Sequence, residues 1–245
     1  MTPASRTADL PDRPSRSGGN RAADAAGAPG QGSREAAAVG TGAHRYEVVE
    51  SGTAYQGRII AIRRDLVRMP DGDVSQRDVV VHPGAVGVVA LDDAERVVMV
   101  RQYRHPVRGP LWELPAGILD LPGEPASTAA ARELAEEAAL RAEQWAVLAD
   151  VWASPGMTDE AYRVFLARGL SEIPATERYA GVHEEAEMSV ARVPLDEAVT
   201  RVLEGDITNA MAVVGILAAA RARDIGFATL RSPDAPWPAR PGNQG

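Results

Sequence analysis

The chain has 245 residues, enough for one large domain or two small ones, and its 34 acidic against 26 basic side chains leave a formal charge of −8. That balance argues against a nonspecific grip on nucleic-acid backbone. There is no cysteine and every basic residue is arginine, which excludes disulfides, thiolate metal sites, thiol nucleophiles and P-loop or Schiff-base lysines, and fits a reducing cytoplasm.

Residues 1–43 are Ala, Gly, Ser, Pro, Arg and Asp with almost no bulky apolar side chain, so they predict a disordered tail that cannot offset its own ordering entropy. Residues 44–82 read as an N-terminal β-sheet region. Short strands are expected at Tyr46–Val49, Gly57–Ile62, Asp65–Arg68 and Asp78–His82, with Asp71-Gly72 as a hairpin turn. A larger domain is expected over 83–228, opening with strands at Ala85–Leu91 and Val97–Arg101 across an Asp92-Asp93 turn. Arg101 to Arg104 closes the second of these. An arginine there suits either a bidentate clamp on a diphosphate or a rim ion pair, and Arg104 is favoured over Arg101. His105, followed by Pro106, reads as a loop residue rather than a ligand.

Residues Gly117 to Leu140 carry the densest chemistry. Pro125 suits a first helical position, and the alanines, Leu134 and paired Glu and Arg that follow are strong helix formers. Glu133, Glu136 and Glu137 stand at i, i+3 and i+4, so three carboxylates share one side, while Ala130, Ala131, Leu134 and Ala138 offer a stripe for burial. Arg132 can reach Glu136 but cannot neutralise three acids. Such an edge is either a solvated surface or a seat for a hard divalent cation, Mg²⁺ or Mn²⁺. The lead-in favours the second reading, because a glycine-punctuated loop feeds a helix N-terminus, where backbone amides attract anions.

Beyond the helix, Val147–Trp152 and Tyr162–Ala167 read as strands around a loop at Ser154–Glu160. Residues 171–186 form a polar connection ending in the acids around His183, and Met188–Val193 resumes as a strand. Leu195–Leu203 is an amphipathic helix stopped by Gly205, and Ile207–Arg223 a second helix capped near Thr208 or Asn209. The apolar run Ala210–Ala220 is too short to span a membrane. Residues 229–245 are Pro-rich and expected to be a flexible tail.

Gly117, Glu124, Arg132-Glu133-Leu134, Glu136-Glu137 and Leu140 together resemble the Nudix box. One extra residue separates Gly117 from Glu124, and Ala139 stands where the box has glycine. The resemblance implies an α/β fold, a mixed sheet sandwiched between helices and preceded by a small antiparallel sheet. It also implies metal ligation by the Ala116 carbonyl, Glu133, Glu136, Glu137 and Glu187, with Gly117, Glu124 and Arg132 holding the box together. The general base is Glu185 or Glu184, with His183 as a further option. Pro155, fifteen residues beyond Leu140, resembles a mark of ADP-ribose pyrophosphatases, and places Pro155 and Met157 in a substrate-contacting loop. In that subfamily the N-terminal sheet is exchanged within a homodimer, which makes Tyr55 and Arg77 candidates for stacking an adenine. The implied reaction is Mg²⁺-dependent (or Mn²⁺-dependent) hydrolysis of ADP-ribose to AMP and ribose 5-phosphate. The alternatives are another nucleoside diphosphate sugar, a dinucleotide, or a non-catalytic ADP-ribose-binding regulator. A prenyl-diphosphate isomerase of this type needs a cysteine, and none is present.

Overall fold

A computed structural model describes residues 45–179 and 188–241. Strands β1 (Val48–Gln56), β2 (Ala61–Arg68) and β3 (Val74–Val81) form an antiparallel sheet in that order. β2 is one strand where the sequence suggested two. Its charged middle is tolerated because Asp65, only 6% exposed, accepts hydrogen bonds from Ser51 on β1 and from Arg63.

Seven further strands follow: β4 (Ala85–Ala90), β5 (Arg96–Arg104), β6 (Gly109–Glu113), β7 (Ala116–Ile118), β8 (Leu140–Trp152), β9 (Ala161–Glu172) and β10 (Ser189–Pro194). Among the described residues the α-helices are α1 (Ala126–Ala138), α2 (Leu195–Glu204) and α3 (Ala210–Asp224). The central sheet runs β7-β4-β9-β8, with β4 and β9 parallel and the other pairs antiparallel. A second sheet runs β10-β5-β6.

β4 is buried at every residue, as the continuous apolar run of a covered central strand should be. Its alternation splits the core into two layers. Val86, Val88 and Ala90 pack with Ala130 and Leu134 of α1, while Ala85 and Val89 pack with Ala212 and Ile216 of α3. The mixed sheet therefore lies between helices, as expected. The buried stripe of α1 is Ala129, Ala130 and Leu134, and Ala131 faces solvent. Pro125 sits one residue ahead of the helix, as its N-cap.

Two expectations need correction. β8 begins at Leu140 rather than near Val147, because Ala139 turns the chain in the left-handed region (φ 52°) and feeds it directly from α1 into pairing with β9. The C-terminal segment does not fray over its described part. Arg163, 2% exposed on β9, donates to the carbonyls of Ala235 and Pro236, and Trp237 is buried against the α1 layer. Counting prolines undervalued that one tryptophan, whose burial is worth roughly 1.5–3 kcal/mol or more.

Candidate active site

The three acids of α1 divide by direction. Glu133 and Glu137, one helical turn apart, turn toward β7. A side chain at Gly117 would collide with the Glu133 carboxylate, so this position admits only glycine without displacing the acid. The Ala116 amide donates to Glu137 Oε2 at 2.9 Å. Strand register accounts for that bond. The Pro115 carbonyl accepts from Val88 on β4, so the amide and carbonyl of Ala116 face the other edge, toward α1.

Glu136 turns aside to Arg132. That arginine donates from Nη1 to Glu133 at 2.7 Å and Glu136 at 3.2 Å, and from Nε and Nη2 to the two oxygens of Glu124 at 3.3 and 3.2 Å. The Glu124 hydrogen bond, opposed by burial and reinforced by Glu133, holds the guanidinium above the ordinary arginine range. Glu124, at the end of the box loop, is thus tied to Arg132 on the helix.

Glu133 and Glu137 line a cleft of about 440 Å³ that also takes in Ala116, Gly117, Gln102, Arg104, Glu113, His82, Glu160, Asn209 and Met211. Arg104 does reach the cleft. Its Nε and Nη2 grip Glu113 at 2.9 and 2.6 Å, and Glu113 is 2% exposed, so the partner is a buried acid and not a surface one. Gln102 alternates onto the same face of β5, whereas Arg101 lies on the other face, over the Trp112 ring. On the β3–β4 connection, the Gly84 amide donates to His82 Nδ1 at 3.1 Å. Glu160 approaches that same Nδ1 at 3.8 Å, beyond hydrogen-bond distance. Asn209 caps α3 by accepting from Ala212. His105 sits outside the cleft in a 3-10 turn.

Other expected residues lie elsewhere. Pro155 and Met157 are exposed and do not line this cleft; their loop is stitched to β3 through Val80, whose amide donates to the Met157 carbonyl. Tyr55 and Arg77 are exposed on the N-terminal sheet, with Arg77 donating to Ser75 and the Gln76 carbonyl. Glu184, Glu185, Glu187 and His183 fall outside the described residues. The sequence reading missed Glu113, Glu160 and His82 as cleft residues. Glu113 carried a signal, a lone carboxylate between Trp112 and Leu114. Glu160 and His82 carried none, because only the β4–β9 pairing brings them together.

The lining holds four carboxylates, Glu113, Glu133, Glu137 and Glu160, against one arginine. Such a wall repels a polyanion unless cations intervene. Glu133, Glu137 and the Ala116 carbonyl form a hard oxygen set suited to Mg²⁺ or Mn²⁺. Among the described residues, no three acidic or histidine side chains form a ready cage. A partial set fits an ion that keeps waters and takes further ligands from phosphate oxygens.

Residues 81–212 match the NUDIX domain model. The chain is 48% identical over 198 residues to an ADP-ribose pyrophosphatase of Mycobacterium tuberculosis, covering 81% of this chain and 94% of that protein. It is 35% identical over 170 residues to a methanol dehydrogenase activator of Bacillus methanolicus, covering 69% and 90%. It is also 35% identical over 162 residues to an ADP-ribose pyrophosphatase of Bacillus subtilis, covering 66% and 85%. Among solved structures, the crystal structure of an ADP compounds hydrolase superposes with a TM-score of 0.65 at 20% identity, over 75% of this chain and 97% of that one, a likeness of fold.

Proposed function

This chain belongs to the Nudix family and is a pyrophosphohydrolase, and we propose that it cleaves the diphosphate of ADP-ribose to AMP and ribose 5-phosphate with Mg²⁺ or Mn²⁺. The observation carrying this reading is the Glu133–Glu137 pair, pressed against Ala116 and Gly117 in a cleft whose lining is otherwise too acidic to accept a diphosphate. Bound there, a divalent ion supplies charge neutralisation and lowers the pKa of a coordinated water.

The chain's own groups do the rest. Glu113 holds the Arg104 guanidinium in a fixed fork at the cleft, where it orients phosphate oxygens. Arg132 and Glu124 hold Glu133 in register. In this reading Glu185 or Glu184 takes the proton of the attacking water, Glu187 adds a metal contact, and Glu136 is the outermost ligand.

The enzyme works in this reading as a cytoplasmic homodimer. β1 is exposed along all nine residues and is the edge of its sheet, a row of unpaired backbone groups that a second copy can cover. Tyr55 and Arg77 then reach an adenine from the partner copy, with Pro155 and Met157 closing on the substrate. Among the described residues no helix is long and apolar enough to cross a membrane.

The test is a panel of ADP-ribose, other nucleoside diphosphate sugars, NADH and diadenosine polyphosphate, with and without each metal, together with sedimentation of the protein. Preferred, metal-dependent release of AMP and ribose 5-phosphate from a dimer supports the reading. Faster cleavage of another panel member reassigns the substrate, and tight ADP-ribose binding with no turnover in either metal makes the protein a regulator.

A further inference from the structure

The C-terminal segment Ser232–Pro241 lies across the start of α1, opposite in sequence to everything the box comprises. Its route is fixed at four points. The Val147 amide on β8 donates to the Arg231 carbonyl just before it, and Arg163 takes the Ala235 and Pro236 carbonyls. Trp237 is buried beneath α1, 4.9 Å from the Arg163 guanidinium across its ring face. At the far end Arg240 Nη2 donates to the backbone carbonyl of Glu124 at 3.0 Å.

That last bond falls on a residue with a second task. The Glu124 side chain holds two nitrogens of Arg132, and Arg132 in turn holds Glu133 at 2.7 Å. Ser127, on the first turn of the same helix, also donates to Asp234 of the strap at 3.3 Å. We propose that Arg240 is a positioning residue, through which the C-terminal strap sets the Glu133 carboxylate for the metal by way of Glu124 and Arg132. The inference rests on the metal reading of the site given above. Three hydrogen-bonded links, running through Glu124 and Arg132, separate Arg240 from the ligand, so the strap acts on how the site is presented and not on whether it exists.

The test uses the full chain and Mn²⁺ alone, without substrate, following the spectroscopic signal of free Mn²⁺ during titration. The parent binds Mn²⁺, and Glu133→Gln weakens that binding at least tenfold. Because outer-shell partners of metal ligands typically contribute 10–100-fold and Arg240 lies two steps beyond such a partner, Arg132, Arg240→Met weakens binding about 3–10-fold. Arg240→Lys, which can still donate one hydrogen bond to the Glu124 carbonyl, stays within about twofold of the parent. The metal concentration that half-saturates turnover shifts by the same factor, with the KM for nucleotide unmoved. If Arg240→Met lowers the thermal midpoint yet binds Mn²⁺ as the parent does, the strap is only structural and this inference fails while the metal reading stands. If the parent binds no Mn²⁺, or Glu133→Gln binds it equally well, the metal reading falls and takes the inference with it.

Discussion

Two arginine–carboxylate networks sit on neighbouring parts of this fold, balanced in opposite senses. Arg163 on β9 and Arg231, just ahead of the C-terminal strap, share one acid, Asp150 on β8, and further donors of Arg163 go to two strap carbonyls. On α1, a single Arg132 serves Glu124, Glu133 and Glu136, and the Ala116 amide donates to Glu137. The first network pairs each of its charged side chains and is covered by the ring of Trp237, whose buried Nε1 is left without a hydrogen-bond partner among the described residues. The second retains an excess of negative charge and opens onto a cleft. Saturation is what a buried charge needs to be tolerated; a retained excess costs stability and is expected where a cation is to be held.

Replacing Arg163 strikes the saturated network and should have the largest effect. Arg163→Met leaves a partly buried Asp150 with only Arg231 and strips two carbonyls of their donor, a loss of about 3–5 kcal/mol of stability. Denaturant unfolding measures it. A loss under about 1 kcal/mol, the scale of an exposed ion pair, would show that the strap and its arginine are not the integral unit described here.

Glu133→Gln strikes the other network, and its signature is the reverse. Turnover should fall on the order of 10²–10³-fold, as when one electrostatic contact to a transition state is removed. Stability should hold or rise slightly, since relieving like charges on one helix face is worth a few tenths of a kcal/mol, roughly. Parallel loss of fold and activity would erase the contrast between the two networks.

The sequence made one network legible and hid the other. The acids of α1 announce themselves because a helix turns i, i+3 and i+4 spacing directly into a shared face, and the Gly117-to-Leu140 pattern ties them to a loop. Asp150 and Arg163 are thirteen positions apart on antiparallel strands, and nothing local marks them as partners until β8 and β9 register. Trp237 likewise sat among prolines, and its role depends on a surface made by α1. Glu113 was half legible, as an acid bracketed by large apolar residues. The sandwich architecture was readable from the apolar run of β4 and its flanking helices, whereas β6 was not, because Gly109 and Pro110 read as a turn, and the start of β8 was not, because Arg141, Glu143 and Gln144 break the apolar pattern that marks a strand.

A pH titration sharpens the comparison on a smaller scale. Burial pushes the Asp150 carboxyl up, but hydrogen bonds from Arg163 and Arg231 outweigh it and hold the group below the usual aspartate range. A carboxyl depressed in the folded state contributes stability that is complete above its unfolded pKa, about 4, and is lost as pH falls through the lower folded value. Asp65 and Asp92 are depressed in the same way by Ser51 and Arg63 and by Arg96, each against burial. Denaturation midpoints should therefore decline below about pH 4 in the parent. Asp150→Asn, less stable at neutral pH, should decline less steeply over the same interval. Identical slopes would mean that Asp150 contributes nothing to the saturated network.

The smallest effect lies at the junction of α1 and β8, where Ala139 adopts φ 52°. A side chain there costs roughly 1–2 kcal/mol relative to glycine, because Cβ crowds the backbone carbonyl. Glycine returns part of that gain through the greater freedom of its unfolded chain, about 0.4–1 kcal/mol. The balance favours Ala139→Gly by about 0.5 kcal/mol, readable as a raised denaturant midpoint at constant slope. Ala139→Val should move the other way by more, since a β-branched side chain is still less tolerant of positive φ. Neither change alters a carboxylate, so turnover and metal dependence should stay at parent levels in the glycine variant. If Ala139→Gly instead alters the metal requirement, the helix end is coupled to Glu136 and Glu137, and the acid-rich network extends one residue past the helix that carries it.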